Sequence, residues 1–163
     1  LVEDEPEMAS YILLKLDELL RYQLKDSLQD KVNLKAEIQF LTNFLELEKT
    51  RRDSFSYQIT QVGDMAGVEI APLLFIPFVE NAVKSNITGE GEAYVYLEFR
   101  LHEGKLSFSC ENPIGIDTIT KKDSGGLGLA NIRRRLDLLF DKHYTLQQTR
   151  TDFLYHVQLH IGI

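Results

Sequence analysis

Between Tyr94 and Cys110 the chain alternates apolar and polar residues. Val95, Leu97, Phe99 and Leu101 interleave with Tyr96, Glu98 and Arg100, and Leu106, Phe108 and Cys110 interleave with Ser107 and Ser109. Successive side chains on a strand point to opposite faces, so each run presents one apolar and one polar face. The intervening His102-Glu103-Gly104-Lys105 contains a glycine that supplies positive φ at no steric cost, so the two runs form a β-hairpin. A half-apolar hairpin of this kind excludes an all-helical fold and puts Cys110 in the core.

Elsewhere the period is mostly helical. After the acidic, proline-bearing start Asp4-Glu5-Pro6-Glu7, apolar residues recur at Met8, Ile12, Leu16, Leu19, Leu20 and Leu24, which predicts a helix over 6–25. A polar connector leads to a second helix over 34–52 with two apolar stripes, Leu34/Ile38/Leu41/Leu45 and Phe40/Phe44/Leu47. A helix apolar on two sides packs on two sides. Either both stripes serve a two-helix hairpin resting on the following unit, or one of them meets a partner chain.

A strand over 55–61, a glycine-containing connector over 62–71 and a third helix over 73–86 come next. After the break at Thr88-Gly89-Glu90-Gly91 and the hairpin, a polar loop over 112–126 leads to a fourth helix over 129–140. Strands over 144–150 and 153–161 finish the chain, turning at Thr151-Asp152. The sum is two leading helices and then an α+β unit with a mixed or antiparallel sheet.

Composition removes several function classes. The 163 residues carry 18 basic and 25 acidic side chains, a net charge of −7, which argues against a nucleic-acid groove. A single cysteine makes no internal disulfide and no thiolate zinc site. No apolar run approaches the roughly 18 residues that a membrane span needs. The first six residues are acidic, unlike a signal peptide, and the chain begins with Leu1 and not Met, as a piece of a longer protein would.

Three segments could carry chemistry. On the third helix, at about 100° per residue, Glu80 and Lys84 lie within roughly 40° of each other and Asn81 lies on their flank. They oppose a continuous apolar face of Phe75, Phe78, Val79, Ala82 and Val83. Such a face is a solvated helix back, or it is a site in which an amide oxygen meets a magnesium ion and a lysine meets a phosphate. The second segment is Ser124-Gly125-Gly126-Leu127-Gly128-Leu129-Ala130-Asn131, with three glycines in four positions opening a helix. It is a flexible connector, or a close backbone approach to a phosphate at a helix N-terminus. It matches neither the dinucleotide fingerprint nor the P-loop. The third is Glu111-Asn112-Pro113-Ile114-Gly115 after a strand, a turn or the edge-on reader of a purine.

The order of these segments resembles the nucleotide-binding domain shared by gyrase, heat-shock chaperone ATPases, histidine kinases and mismatch-repair ATPases. Pro77-Phe78-Val79-Glu80-Asn81-Ala82-Val83-Lys84 resembles the asparagine box of autolysin-sensor-type bacterial sensor histidine kinases. Gly125-Gly126-Leu127-Gly128-Leu129-Ala130-Asn131-Ile132-Arg133-Arg134-Arg135-Leu136 resembles their second glycine box. Leu19-Leu20-Arg21-Tyr22 and Glu46-Leu47-Glu48-Lys49-Thr50-Arg51 resemble the same class, so the resemblance spans essentially the whole chain.

The resemblance implies an α+β fold: a two-layer α/β sandwich with a mixed, mostly antiparallel sheet, preceded by two long helices. Residues 1–53 would be partial dimerisation helices and 54–163 the ATP-binding catalytic domain. Asn81 would hold Mg2+ against the phosphates of ATP, Glu80 would be the general base or orienting acid, and Lys84 a phosphate contact. Asn112 would read adenine, and Gly115, Gly126, Leu127, Gly128 and Leu129 would shape the pocket and its lid. The implied function is transfer of the ATP γ-phosphate to a histidine upstream of the chain. The alternative is a nucleotide-binding dimerisation and signalling module without kinase activity. The implied partners are a second copy, through the leading helices, and a cognate response regulator. The implied location is the cytoplasmic portion of an inner-membrane bacterial sensor whose membrane segments lie outside this chain.

Two positions depart from the pattern. Many relatives carry Asp where this chain has Asn112, whose carbonyl oxygen still accepts, without charge; relatives also often have His where this chain has Ser85. None of the four histidines, His102, His143, His156 and His160, falls on the leading helices; the resemblance implies a phosphate-accepting histidine just upstream of the segment Glu3-Asp4-Glu5-Pro6-Glu7. His156 and His160 are expected on a solvated strand face, and Arg133-Arg134-Arg135 on a solvated helix face or against the lid or a receiver partner.

Overall fold

A computed structural model describes residues 5–26, 28–86, 92–114 and 122–163, and for 122–128 the course of the backbone alone. Helix α1 (Glu5–Arg21) widens into a single π turn, Tyr22–Asp26, and α2 spans Leu34–Arg51. Asn33 caps α2, its side chain accepting from the Lys35 N–H at 2.9 Å. Tyr11 bonds Glu46, Lys15 bonds Asn43 and Tyr22 bonds Glu37, so the two helices run antiparallel. Both expected leading helices are present.

Strands β2 (Phe55–Val62), β4 (Ala93–His102), β5 (Lys105–Pro113), β6 (Tyr144–Arg150) and β7 (Leu154–Gly162) form one sheet, in the order β2-β4-β5-β7-β6. Only β2 and β4 run parallel, which requires a crossover, and α3 (Ile76–Lys84) lies in it. The remaining pairs are antiparallel, so the sheet is mixed and mostly antiparallel, as expected. The hairpin turns through Glu103 and Gly104 with φ of 50° and 73°, both left-handed, the turn whose twist matches its strands.

The apolar halves of the alternating runs meet across the sheet. Phe99 is registered with Phe108, and Phe108 with Leu159; Cys110 is registered with Leu97 and Val157. Phe75 closes on Phe99 and Phe108 with ring centroids 5.1 and 4.6 Å apart. Burial pushes the Cys110 thiol up to about 12, so it stays protonated and packs as a small apolar group. The polar halves line the other face, where His156 and His160 lie half-buried rather than on the solvated face expected, and Ser107 Oγ lies 2.8 Å from His160 Nδ1. One buried cluster runs from Leu19 and Tyr22 through Leu34, Leu41 and Leu45 to Phe99 and Leu159, so the helix pair and the sheet share a core.

Three differences from the sequence reading bear on the site. A two-residue ribbon, β1 (Val32–Asn33) with β3 (Glu69–Ile70), ties the connector to the start of α2, and the Leu34 N–H donates to Val68 O at 2.8 Å. Elements of two residues carry no readable period. Helix α3 begins at Ile76, not at residue 73, because Leu73 takes a left-handed φ of 57° and Pro77 fits only a first turn. It ends at Lys84, and the buried Asn86 leaves the helix to donate its amide to Tyr94 O at 2.7 Å. Helix α4 runs Lys122–Phe140, seven residues longer at its start than the expected 129–140. Glycine is compatible with helical dihedrals at a cost of about 1 kcal/mol each. The half of α4 anchored by Ile132 and Leu136 therefore propagates back through the glycine run.

Candidate functional site

A cavity of about 350 Å³ separates α3 from α4. Leu74, Pro77, Glu80, Asn81 and Lys84 form one wall, and Asn131, Ile132, Arg135 and Leu136 the other. The wall on α3 arises because Phe78, Val79 and Ala82 turn onto the sheet and are buried, which rotates Glu80, Asn81 and Lys84 outward. Glu80 and Lys84 are exposed and Asn81 is half-buried. The structure thus gathers three of the sequence-derived residues on one surface, facing Asn131, Ile132, Arg135 and Leu136 of α4 across a gap of ligand size.

Asn112 ends β5 on its apolar face and is fully buried. Its amide nitrogen donates to Pro113 O at 3.1 Å, while its carbonyl oxygen has no hydrogen-bond partner among the described residues. A buried acceptor left unsatisfied costs about 1–3 kcal/mol, so this one suits a donor arriving with a ligand. Asn112 is not among the residues that line the cavity. Gly115 lies outside the described residues. Gly126, Leu127, Gly128 and Leu129 lie within the first turns of α4, and Leu129 packs half-buried on the core. The expected free N–H groups at residues 126–129 are therefore displaced. The amides without an intrahelical acceptor are those of the first four residues of α4, from Lys122 on.

The donor set fits a magnesium nucleotide. The Asn81 amide offers the hard oxygen that magnesium takes, Lys84 offers a point charge for phosphate, and the orphaned Asn112 oxygen accepts without charge, as an exocyclic amine requires.

Glu37 escaped the sequence reading, and Arg135, expected with Arg133 and Arg134 on a solvated helix face or against the lid or a receiver partner, instead turns inward to the connector while the other two stay exposed. Arg135 donates to Leu73 O at 2.6 Å and also to Pro72 O, tying α4 to the connector ahead of α3. Glu37, fully buried on α2, accepts from the Leu73 N–H at 2.6 Å and from the Tyr22 hydroxyl. Both left a signal. Glu37 is a lone acid between Leu34 and Leu41 on an apolar stripe, and Arg135 falls beside Ile132 and Leu136 on the inward side of α4.

Solved structures share this fold. The catalytic domain of histidine kinase ThkA superposes with a TM-score of 0.57 at 20% identity, covering 81% of this chain and 93% of that one. A histidine kinase domain from a blue-light activated kinase of Erythrobacter litoralis gives 0.60 at 16% identity, covering 94% and 73%. The fold is therefore that of histidine kinase catalytic domains.

Sequence relatives narrow it. Residues 1–55 match the histidine kinase family model. The sensor protein LytS of Staphylococcus saprophyticus is 28% identical over 160 residues, covering 90% of this chain, and that of Streptococcus mutans is 25% identical over 168 residues, covering 93%. The chain is similar to histidine kinases, through the family model over its first 55 residues and through autolysin-sensor-type relatives over most of its length. It spans 27% and 28% of the length of these two relatives.

Proposed function

We propose that this chain is the ATP-binding catalytic portion of a two-component sensor histidine kinase, passing the γ-phosphate of ATP to a histidine that precedes it. The observation that carries this reading is the cavity between α3 and α4, with Glu80, Asn81 and Lys84 on one wall, in a chain whose first 55 residues match the histidine kinase family model. Asn81 holds the metal, which when bound neutralises charge on the transferring phosphoryl group. Lys84 draws the phosphates to the α3 wall. Glu80 orients or deprotonates the attacking imidazole. The orphaned oxygen of Asn112 accepts from the adenine amine, and Gly115, Gly126, Leu127, Gly128 and Leu129 form the pocket edge and lid. Such catalysis rests on positioning and electrostatics more than on covalent chemistry.

Residues 1–53 act as dimerisation helices and 54–163 as the catalytic domain. The apolar edge of α1, with Leu13 67% and Leu14 55% exposed, supports pairing with a second copy. A response regulator is the onward partner; the ThkA kinase, solved in complex with response regulator TrrA, superposes on 99% of this chain with a TM-score of 0.55. Among the described residues no helix is long and apolar enough to cross a membrane. The chain is read as the cytoplasmic portion of an anchored sensor.

The test supplies the native upstream helix with its histidine in one longer chain and follows radiolabel from γ-labelled ATP. Acid-labile phosphohistidine that Asn81→Ala abolishes is the expected result. ATP binding with no phosphohistidine, unchanged by Asn81→Ala, overturns the kinase reading in favour of a module that only binds and signals.

A further inference from the structure

Two charged side chains from distant parts of the fold grip a single residue. Leu73 sits in the connector ahead of α3 with a left-handed φ of 57°, a conformation its side chain disfavours. Its N–H donates to the buried Glu37 carboxylate of α2 at 2.6 Å, and its carbonyl accepts from Arg135 of α4 at 2.6 Å. The same guanidinium takes Pro72 O, and Glu37 also takes the Tyr22 hydroxyl where α1 ends. One path of hydrogen bonds therefore runs from the end of α1, through α2 and the strained connector, to the helix that forms the second wall of the cavity.

We propose that Glu37 and Arg135 are positioning residues that set the spacing of the two cavity walls, with Leu73 as their common anchor, so that the leading helices and the nucleotide site move as one. The proposal rests on the nucleotide reading above and adds residues that are not expected to touch the nucleotide. The connector leads within three residues into α3, which carries Glu80 and Asn81, and Leu74 at its end lines the cavity. Arg135 lines the opposite wall. With two guanidinium nitrogens committed to carbonyls, Arg135 holds the walls together and leaves the phosphates to Lys84. The planar fork suits two successive carbonyls; a lysine ammonium has neither that geometry nor that reach. A carboxyl oxygen of Glu37 on the N–H side of Leu73 and the Arg135 guanidinium on its carbonyl side hold a backbone conformation that leucine does not choose.

The test titrates this chain calorimetrically with ATP, ADP and adenosine, as wild type, Glu37→Gln, Arg135→Lys, Arg135→Ala and the Glu37→Gln/Arg135→Lys double variant. Arg135→Ala should weaken all three ligands alike, by about tenfold. Arg135→Lys should recover part of that. The double variant should lose less than the product of the two single losses, because both act on one anchor. Loss confined to the phosphate-bearing ligands makes Arg135 a direct contact and overturns the proposal, as do unchanged affinities or independent effects at the two positions. Should Arg135→Ala not fold, Glu37→Gln and Arg135→Lys carry the same comparison.

If the wild type binds none of the three, it is the nucleotide reading that fails. The anchor is then tested by hydrogen exchange on the free chain. Arg135→Lys should speed exchange of the Leu73 amide, whose acceptor is Glu37, and Glu37→Gln should loosen α4; unchanged exchange at both places overturns the anchor.

Discussion

Helices α1 and α2 carry apolar residues at the same period, and the chain uses them differently. Leu34, Leu41 and Leu45 of α2 are fully buried, whereas Leu13 and Leu14 of α1 stand more than half exposed, with Leu24 of the π turn 72% exposed. The contacts that hold α1 to α2 include polar ones, Tyr11 to Glu46 and Lys15 to Asn43, near the middle of the pair. A helical period states that a face is meant to be covered; it does not state by what. For α2 the cover is this chain's own, α1 and the π turn on one side and the sheet on the other. On α1 and its π turn Leu13, Leu14, Leu20 and Leu24 stand exposed in this chain, the surface that the proposed pairing with a second copy would cover.

The largest effect should come from the covered helix. Leu41→Ala removes a side chain with no exposed surface and should cost about 2–5 kcal/mol, read as a lowered urea midpoint at unchanged slope. A loss below that range would mean that α2 packs loosely and that the two helices differ less than their burial indicates. Gly63→Ala tests the rigidity of the sheet unit at its edge. Gly63 has φ of 99°, and an added Cβ would come within 2.5 Å of Leu101 O. A destabilisation of about 1–3 kcal/mol is expected by the same denaturation assay.

Leu13→Asp with Leu14→Asp should act in the opposite way on the uncovered helix. Sedimentation equilibrium should shift toward monomer, and the thermal midpoint should lose its dependence on protein concentration. If the double substitution unfolds the monomer instead, the outer edge of α1 belongs to the intramolecular core and the contrast fails.

The smallest effect concerns the polar seam. The hydroxyls of Tyr57, foremost, and Tyr11 donate to Glu46 and hold its carboxyl below its ordinary 4.5, against a desolvation that pushes the other way. A lowered folded value means that the unfolded chain binds more protons, so stability rises with pH in this range. The seam's contribution is fully present above about pH 4.5 and is lost as pH falls through the lowered folded value. Glu46→Gln should flatten the stability curve in that acid window and change it least at the bottom of it. An unchanged slope would show that the Tyr57 and Tyr11 hydroxyls do not hold the Glu46 carboxylate in the folded chain.

Much of this was legible in the sequence for identifiable reasons. Long periodic segments announced α1, α2 and every strand of the large sheet, because burial on one face imposes a period of 3.6 or 2. The polar set Glu80, Asn81 and Lys84 was legible because Phe78, Val79 and Ala82 define the opposite face without ambiguity. The start of α4 was not, since glycine signals a loop locally while the helical ladder behind it decides the outcome. Nor was the ribbon of Val32 and Asn33 with Glu69 and Ile70, which is too short to alternate. The grip on Leu73 was hidden for a third reason: Glu37, Leu73 and Arg135 are far apart in sequence, and only tertiary packing brings one residue's N–H and carbonyl to two charges. The lone acid on the α2 stripe was the visible half of that arrangement.

The most direct test of nucleotide binding is an isothermal titration of the chain with ATP, in the presence and absence of magnesium, repeated with Asn81→Ala. Saturable binding that magnesium strengthens, and that Asn81→Ala weakens mainly when magnesium is present, is the expected result. No binding at millimolar ATP, or binding indifferent to both magnesium and Asn81, would contradict the assignment of the α3–α4 cavity.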